Sequence, residues 1–224
     1  MKEEIREKVL SFGADVCGFT GIERFSEAPE GFHPRDIFPE CKSIVAIGIA
    51  LPKGLYMVNP RLIYSYFNSF ACPQVDHVAY RTADLLEKSY GGIGVPIPCD
   101  TPYEYWEEDR MEGRGLLSMK HIAYQSGIGT FGKNTLLMNR EYGNRLIIGC
   151  VLTDLKIESD KLVDKVCLEH CDLCVRSCPV GAISEGVVEQ KRCRMNSYGK
   201  TKRSFDTVEC NQCRKVCPIR FGLN

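Results

Sequence analysis

Cys167-Leu-Glu-His-Cys171-Asp-Leu-Cys174-Val-Arg-Ser-Cys178-Pro179, then Cys193, then Cys210-Asn-Gln-Cys213-Arg-Lys-Val-Cys217-Pro218 is the stretch that decides how the C-terminal part of this chain folds. Eight of the thirteen cysteines lie in these last fifty-eight residues. Thiolates in fours are the ligand sets of [4Fe–4S] clusters, and eight supply two. Each C-x2-C spacing places two sulfurs on one tight turn. Backbone N–H groups of such a turn can point at the sulfurs and help set a potential. The proline after each last cysteine bars helical geometry for that cysteine and turns the chain away. A chain holding two such clusters moves single electrons.

In two-cluster ferredoxins the fourth cysteine of each run ligates the other cluster. Carried onto this chain, Cys167, Cys171, Cys174 and Cys217 hold one cluster, and Cys193, Cys210, Cys213 and Cys178 the second. Two departures stand out. The first gap is x3, which leaves Cys167 the least secured ligand. Thr207 occupies the position of a third x2-spaced cysteine, so Cys193 must reach in across sixteen intervening residues. Zinc competes for thiolate tetrads, but the two C-x3-C-P endings have no zinc rationale. A disulfide framework fits less well. Met1-Lys-Glu-Glu-Ile-Arg-Glu-Lys begins a charged amphipathic helix and not a signal peptide, so a reducing, cytoplasmic setting is expected. Cys17, Cys41, Cys72, Cys99 and Cys150 sit in or beside apolar stretches and are expected as buried free thiols.

The chain of 224 residues can bury one good core and carry a small appended module. Its longest apolar runs, Ile44–Leu51 and Leu146–Leu152, are far short of the roughly 18 residues of a membrane span, so no membrane partner is expected. The zero net charge hides an asymmetry. Residues 161–224 carry 12 basic and 7 acidic side chains, a balance of +5, leaving −5 for the rest. Part of that basic excess offsets two anionic clusters. The strip Lys191, Arg192, Arg194, Lys200, Lys202 and Arg203 is otherwise a solvated face, or a contact for an acidic donor or RNA phosphates.

Periodicity predicts a helix over Glu3–Phe12, a short strand over Asp15–Thr20 and a buried central strand over Ser43–Leu51. A helix over Val75–Tyr90 stops at Gly91-Gly92. A strand follows over Ile93–Pro98, a helix over Leu116–Ser126 and a buried strand over Leu146–Leu155. Mixed strands and helices imply an α+β layered domain over residues 1–160, and the shift to cysteine and charge marks a second over 161–224. Gly127-Ile-Gly129-Thr-Phe131-Gly132-Lys133-Asn134-Thr135 matches G-x-G-x-x-G, but a helix precedes it where a dinucleotide site needs a strand. It nearly matches a P-loop, but Asn134 stands where that loop needs a hydroxyl. Three glycines in six residues imply backbone held close to something flat or bulky.

The stretch His121-Ile-Ala-Tyr-Gln-Ser-Gly-Ile-Gly-Thr-Phe-Gly-Lys-Asn-Thr-Leu-Leu-Met resembles the epoxyqueuosine reductase family. So do Asn139-Arg-Glu-Tyr-Gly-Asn-Arg, Thr153-Asp-Leu, Cys174-Val-Arg-Ser-Cys-Pro-Val-Gly-Ala-Ile, Arg192-Cys193 and Cys210-Asn-Gln-Cys. That family, like the related reductive dehalogenases, binds a cobalamin beside two [4Fe–4S] clusters, and its corrinoid domain resembles the nitroreductase fold. The resemblance implies a nitroreductase-like domain followed by a two-cluster ferredoxin-like module, with electrons passing from the clusters to cobalt. It places Gly127, Gly129, Phe131, Gly132, Lys133, Asn134 and Thr135 against the corrinoid. The family's proton-donating aspartate matches Asp100 in Cys99-Asp100-Thr101-Pro102. Burial between prolines and apolar neighbours is expected to raise its pKa as a general acid; a turn-forming aspartate is the alternative. Tyr103 and Tyr105 are further proton-donor candidates.

The chain departs from the family at three places. Phe131 replaces the usual tryptophan. Residues 103–115 exceed the family's length there and read as a surface loop or a flap. Epoxyqueuosine reductases continue past the second cysteine run into a helical-repeat domain that helps hold tRNA, whereas this chain stops at Asn224, so tRNA is a doubtful substrate. The expected partners are a low-potential donor such as ferredoxin or flavodoxin and a small molecule or modified base. The rival is an electron carrier without corrinoid that docks a partner redox enzyme. FMN is a third occupant, since nitroreductase-like folds often hold one.

Overall fold

The computed structural model describes residues 1–184, 186–197 and 209–223. Lys200, Lys202 and Arg203 of the basic strip, and Thr207, lie outside the described residues. The larger part contains α1 (Lys2–Ser11), β1 (Val16–Gly21), α2 (Pro34–Ile37), β2 (Ser43–Ala50), α3 (Arg61–Tyr90) and β3 (Gly94–Ile97). β4 (Tyr105–Glu107), β5 (Glu112–Arg114), α4 (Met119–Gln125), β6 (Thr130–Phe131), β7 (Leu137–Met138) and β8 (Leu146–Thr153) follow. The cysteine-rich part contains α5 (Leu173–Arg176), β9 (Ile183–Ser184), β10 (Val187–Val188), α6 (Gln190–Ser197) and α7 (Gln212–Lys215). The mixed α and β character expected from the sequence is what the chain adopts.

One four-stranded sheet, in the order β1-β2-β8-β3 and antiparallel throughout, forms the middle layer. The run Ser43–Ala50 lacks alternation because both faces of β2 are covered. Ile44 and Ala46 pack with Ile122 and Ala123 of α4 on one side. Val45 and Ile47 pack with Ile5 and Val9 of α1 and with Val78, Ala79 and Leu86 of α3 on the other. Each fully buried Val, Leu or Ile among these contributes about 1.5–3 kcal/mol. β3 tolerates Pro96 because it is an edge strand, paired only with β8.

Two elements differ from expectation. α3 begins at Arg61 and runs through Pro73, fourteen residues ahead of the expected start at Val75. Its first half carries exposed Leu62, Tyr66 and Phe70, so no buried stripe marks it, and an internal proline argues against a helix. It ends as expected, at Gly91 with φ 66°. Residues 105–114 form an antiparallel hairpin, β4–β5, with Met111 at φ 48° in its turn. No helix among the described residues is long and apolar enough to cross a membrane.

The cysteine-rich part is stitched to the sheet part through backbone. Asn144 Nδ2 donates to the Arg214 carbonyl at 3.0 Å, and Arg214 Nη1 returns a bond to the Asn144 carbonyl at 2.5 Å. The Leu223 amide donates to the Arg140 carbonyl at 2.8 Å.

Candidate functional site

The sulfurs gather into two groups of four. Cys167, Cys171, Cys174 and Cys217 line one recess with Gly132, Lys133 and Asn134 of the glycine loop. Cys193 is influenced by Cys178 and Cys210, and Cys213 by Cys193 and Cys210, with Cys174 beyond. Two short helices present these sulfurs alike: Cys174 lies on α5 and Cys213 on α7, each four residues before a Cys-Pro. Backbone N–H groups point at sulfur here. The Ala182 amide lies 3.3 Å from Cys178 Sγ, the Ile219 amide bonds Cys217, and those of Val175 and Cys174 bond Cys174. Burial pushes the Cys217 thiol up to about 11, with Cys167, Cys171 and Cys174 adding to it against the Ile219 amide. Among the described residues no three Cys, His, Asp or Glu side chains converge tightly enough for a single metal ion.

Arg214 follows Cys213 directly. Burial disfavours its charge, but Tyr64, Tyr56 and Cys213 together hold its pKa above the ordinary value. A fixed cation thus stands beside the second thiol group.

The glycine loop follows α4 and connects into the β6–β7 hairpin. Its glycines are crowded by protein. A Cβ on Gly127, at φ 70°, would lie 2.2 Å from the Lys161 carbonyl oxygen; one on Gly129 would lie 2.5 Å from that of Met138. At Gly132 the nearest atom is Asn134 Oδ1, at 2.9 Å. Close backbone approach was expected, and its partner is the chain itself. Lys133 Nζ donates to the Glu169 carbonyl at 2.6 Å, and buried Asn134 reaches the Cys213 carbonyl at 3.4 Å. Lys133 and Asn134 thus face the thiol groups. Phe131 packs against His121 and Tyr124, with ring centroids 4.8 and 5.7 Å away. Phe131 and Thr135 stay half-exposed, Thr135 at φ 60°.

Asp100 is exposed, which corrects the expected burial, because the segment leaves β3 at the sheet edge into open surface. It accepts a hydrogen bond from the Tyr103 hydroxyl at 3.3 Å. Burial, then the Asp100 charge, pushes the Tyr103 pKa up. Glu209 is held above the usual carboxylate range by burial, against Arg214 and the Asn68 amide, and it too feels Asp100. Lys120 keeps solvent contact, yet surrounding protein, and then Arg214, pull its ammonium below the ordinary value. Glu209 and Lys120 both feel Arg214, and Glu209 feels Asp100, so these groups share one neighbourhood beside the second thiol group. The β4–β5 hairpin leans on α6 beside it: Arg194 stands 5.2 Å from the ring centroids of both Tyr103 and Trp106, and Lys191 Nζ bonds the Asp109 carbonyl at 2.7 Å. Tyr105 instead packs on Phe32, with ring centroids 5.2 Å apart.

Cys17, Cys41 and Cys150 are buried, as expected. Cys72 and Cys99 are only half-buried. They face each other across α3 and the end of β3 because α3 extends far enough back to include Cys72. Sequence reasoning missed this pair, along with Asp76, Arg214 and Asn144. A helix drawn through Pro73 would have put Cys72 and Asp76 on one face.

No protein-family model matches the chain. The epoxyqueuosine reductase of Bacillus subtilis (strain 168) is 26% identical over 258 residues, covering 99% of this chain and 64% of its own length. That of Listeria monocytogenes serovar 1/2a is 30% identical over 232 residues, covering 97% and 58%. The chain is similar over nearly its whole length to the epoxyqueuosine reductases. It spans about two thirds or less of these two relatives. Solved structures share the fold. An epoxyqueuosine reductase with an epoxyqueuosine-modified tRNA-Tyr stem loop superposes with a TM-score of 0.71 at 21% identity, over 98% of this chain and 65% of that one. The B. subtilis enzyme with its catalytic aspartate loop swung out of the active site gives 0.66 at 22%, over 99% and 65%. A reductive dehalogenase described with B12-dependent dehalogenation gives 0.69 at 17%, over 97% and 32%.

Proposed function

We propose that this chain is a redox protein that carries two [4Fe–4S] clusters and serves a corrinoid beside Asp100, for reduction of a small molecule or a modified base. The observation that carries this is the gathering of eight cysteines into two four-thiol groups, within a fold shared with epoxyqueuosine reductases and a B12-linked dehalogenase. Cys167, Cys171, Cys174 and Cys217 would hold one cluster, and Cys178, Cys193, Cys210 and Cys213 the other. Residues 1–160 are taken as the nitroreductase-like domain and 161–224 as the ferredoxin-like module.

The clusters, when bound, supply one-electron carriers, and a corrinoid supplies a metal centre reducible by single electrons. The protein's own part is charge, orientation and protons. Arg214 and the sulfur-directed amides stabilise thiolate charge. Phe131 and Thr135 are the half-exposed loop groups left to touch a flat ligand. Asp100, exposed and bonded by the Tyr103 hydroxyl, is taken as the proton-exchanging carboxyl. Electrons are taken to enter from a ferredoxin or flavodoxin. A tRNA-borne base stays among the substrates because a relative binds a modified tRNA stem loop.

One observation favours a second reading, an electron carrier without corrinoid. The glycine loop's close approaches at Gly127 and Gly129 are to Lys161 and Met138 of the chain itself. Anaerobic reconstitution separates the two. About eight iron and eight sulfide per chain are expected, with Cys193→Ala disturbing one cluster. Hydroxocobalamin should co-elute with the protein and shift its spectrum. Passage of cobalamin through a desalting column with the iron retained favours the carrier, and FMN retention in the same test would name a flavin site. A zinc-loaded, colourless protein from oxygen-free handling overturns both readings.

A further inference from the structure

Cys72 and Cys99 belong neither to the eight clustered cysteines nor to the three sealed in the core. Cys72 lies on α3, and Cys99 lies in the segment that runs from β3 to Asp100. The Cys99 thiol donates to the carbonyl oxygen of Cys72 at 3.6 Å. The Cys99 amide donates to Asp76, one helical turn past Cys72, at 2.9 Å. Two bonds to one turn of helix fix Cys99 against it. The Cys99 and Cys72 thiols also lie near enough for each to shift the other's pKa. The Cys99 sulfur touches the backbone of residue 72, and closing a disulfide there requires Cβ atoms about 3.5–4.5 Å apart. Both residues remain half-buried, so a small reagent can reach them.

We propose that Cys72 and Cys99 form a redox-active dithiol that exchanges with small disulfides and closes into a Cys72–Cys99 bond. Cys72 is the attacking sulfur: its thiol is held below the ordinary value by the hydrogen bond from Cys99. Cys99 is the resolving sulfur and stays protonated until called on, since that same bond and burial raise its pKa. The thiolate of Cys72 attacks one sulfur of a dialkyl disulfide, and the first thiolate leaves and takes up a proton. Cys99 then loses its proton, attacks the Cys72 sulfur of the mixed disulfide and expels the second thiolate. The pair is oxidised by two electrons and the small disulfide is reduced to two thiols. The closed bond ties the segment bearing Asp100 to α3. This site is independent of the cluster assignment.

The test uses the full chain, prepared without oxygen, with its iron measured. Glutathione disulfide is added, free thiols are blocked with iodoacetamide, and the protein is cut with trypsin. Cleavage after Arg61, Arg81, Lys88 and Arg110 isolates Cys72 in residues 62–81 and Cys99 in residues 89–110. The expected product is these two peptides linked, two hydrogens lighter than their sum, and separated by dithiothreitol. Cys99→Ser should instead trap one glutathione on Cys72, and Cys72→Ser should give neither link nor adduct. Separate alkylated peptides from the native chain, or a Cys99→Ser protein that takes no glutathione at Cys72, overturns the proposal. Neither peptide contains a cluster cysteine, so loss of iron cannot imitate either result.

Discussion

The hydrogen bond from Cys99 is the largest influence on the Cys72 thiol and lowers its pKa, against burial and the charges of Asp100 and Asp76. Cys99→Val keeps a side chain of similar size and removes the donor. The thiolate then loses its stabilisation, and the pKa of Cys72 rises. Below both values the thiolate fraction falls about tenfold for each unit of rise. Alkylation of Cys72 near pH 7 should therefore slow in Cys99→Val, and the midpoint of its pH–rate curve should move upward. Rates read from the peptide of residues 62–81 across pH 6–10 decide it; an unmoved midpoint means that Cys99 does not govern Cys72. Gly127 makes a second residue-scale case. Its φ of 70° and the Lys161 carbonyl beside it both refuse a Cβ. Gly127→Ala should cost about 1–3 kcal/mol in denaturant unfolding, and it should do so whether or not cobalamin is present. A loss seen only as weaker cobalamin retention, at full stability, would place the ligand and not Lys161 against this glycine. The sequence showed that backbone must come close at this loop. It had no means of showing whether a ligand or the chain itself comes close, because residues 127 and 161 meet only through the fold.

At the scale of the element, α3 is one helix with two halves. Its second half supplies Val78, Ala79, Ala83 and Leu86 to the sheet, and that stripe is what periodicity detects. Its first half exposes Leu62, Tyr66 and Phe70, so the same criterion is blind there. Pro73, which lacks an N–H for the Ser69 carbonyl, adds a false stop signal. The strands were legible for the opposite reason: β2 and β8 are buried on both faces, and their apolar runs follow from that alone. The short hairpin β4–β5 was not legible, since its strands have three residues each and none of their side chains is buried. The two halves of α3 should respond differently to truncation. Leu86→Ala removes a fully buried side chain and should cost about 2–5 kcal/mol. Tyr66→Ala, at 65% exposure, should stay within about 0.5 kcal/mol of the parent. Chemical denaturation of both variants measures the contrast. Equal losses would mean that the first half of α3 is covered in solution.

At the scale of the molecule, the cysteine-rich part and the sheet part share backbone contacts that a simple tether would not provide. A Cβ on Gly143, at φ 60°, would lie 2.2 Å from the Arg220 carbonyl oxygen, and one on Gly222, at φ 105°, would lie 2.2 Å from that of Glu141. The Asn144–Arg214 pair exchanges bonds in both directions across the same seam. Composition marked a change near Lys161 but carried no sign of this seam, because Gly143 and Asn144 precede the boundary and Arg214, Arg220 and Gly222 lie far beyond it. The thiol groups sit on the far side of the seam, and Cys213 adjoins Arg214. Ligands that bind only the folded form add their binding free energy to its stability. If the proposed clusters are bound, stripping their iron under anaerobic conditions should therefore loosen α7, release Arg214 from Asn144 and lower the stability of the sheet part as well. Each kcal/mol lost that way corresponds to about 2–4 °C of melting temperature for a chain of this size. Circular dichroism reports the helices of the sheet part, and visible absorption reports the clusters. A single shared transition that moves down on iron removal is expected. Helical melting at an unchanged temperature after all iron is gone would show that the two parts fold independently and that the seam carries no coupling.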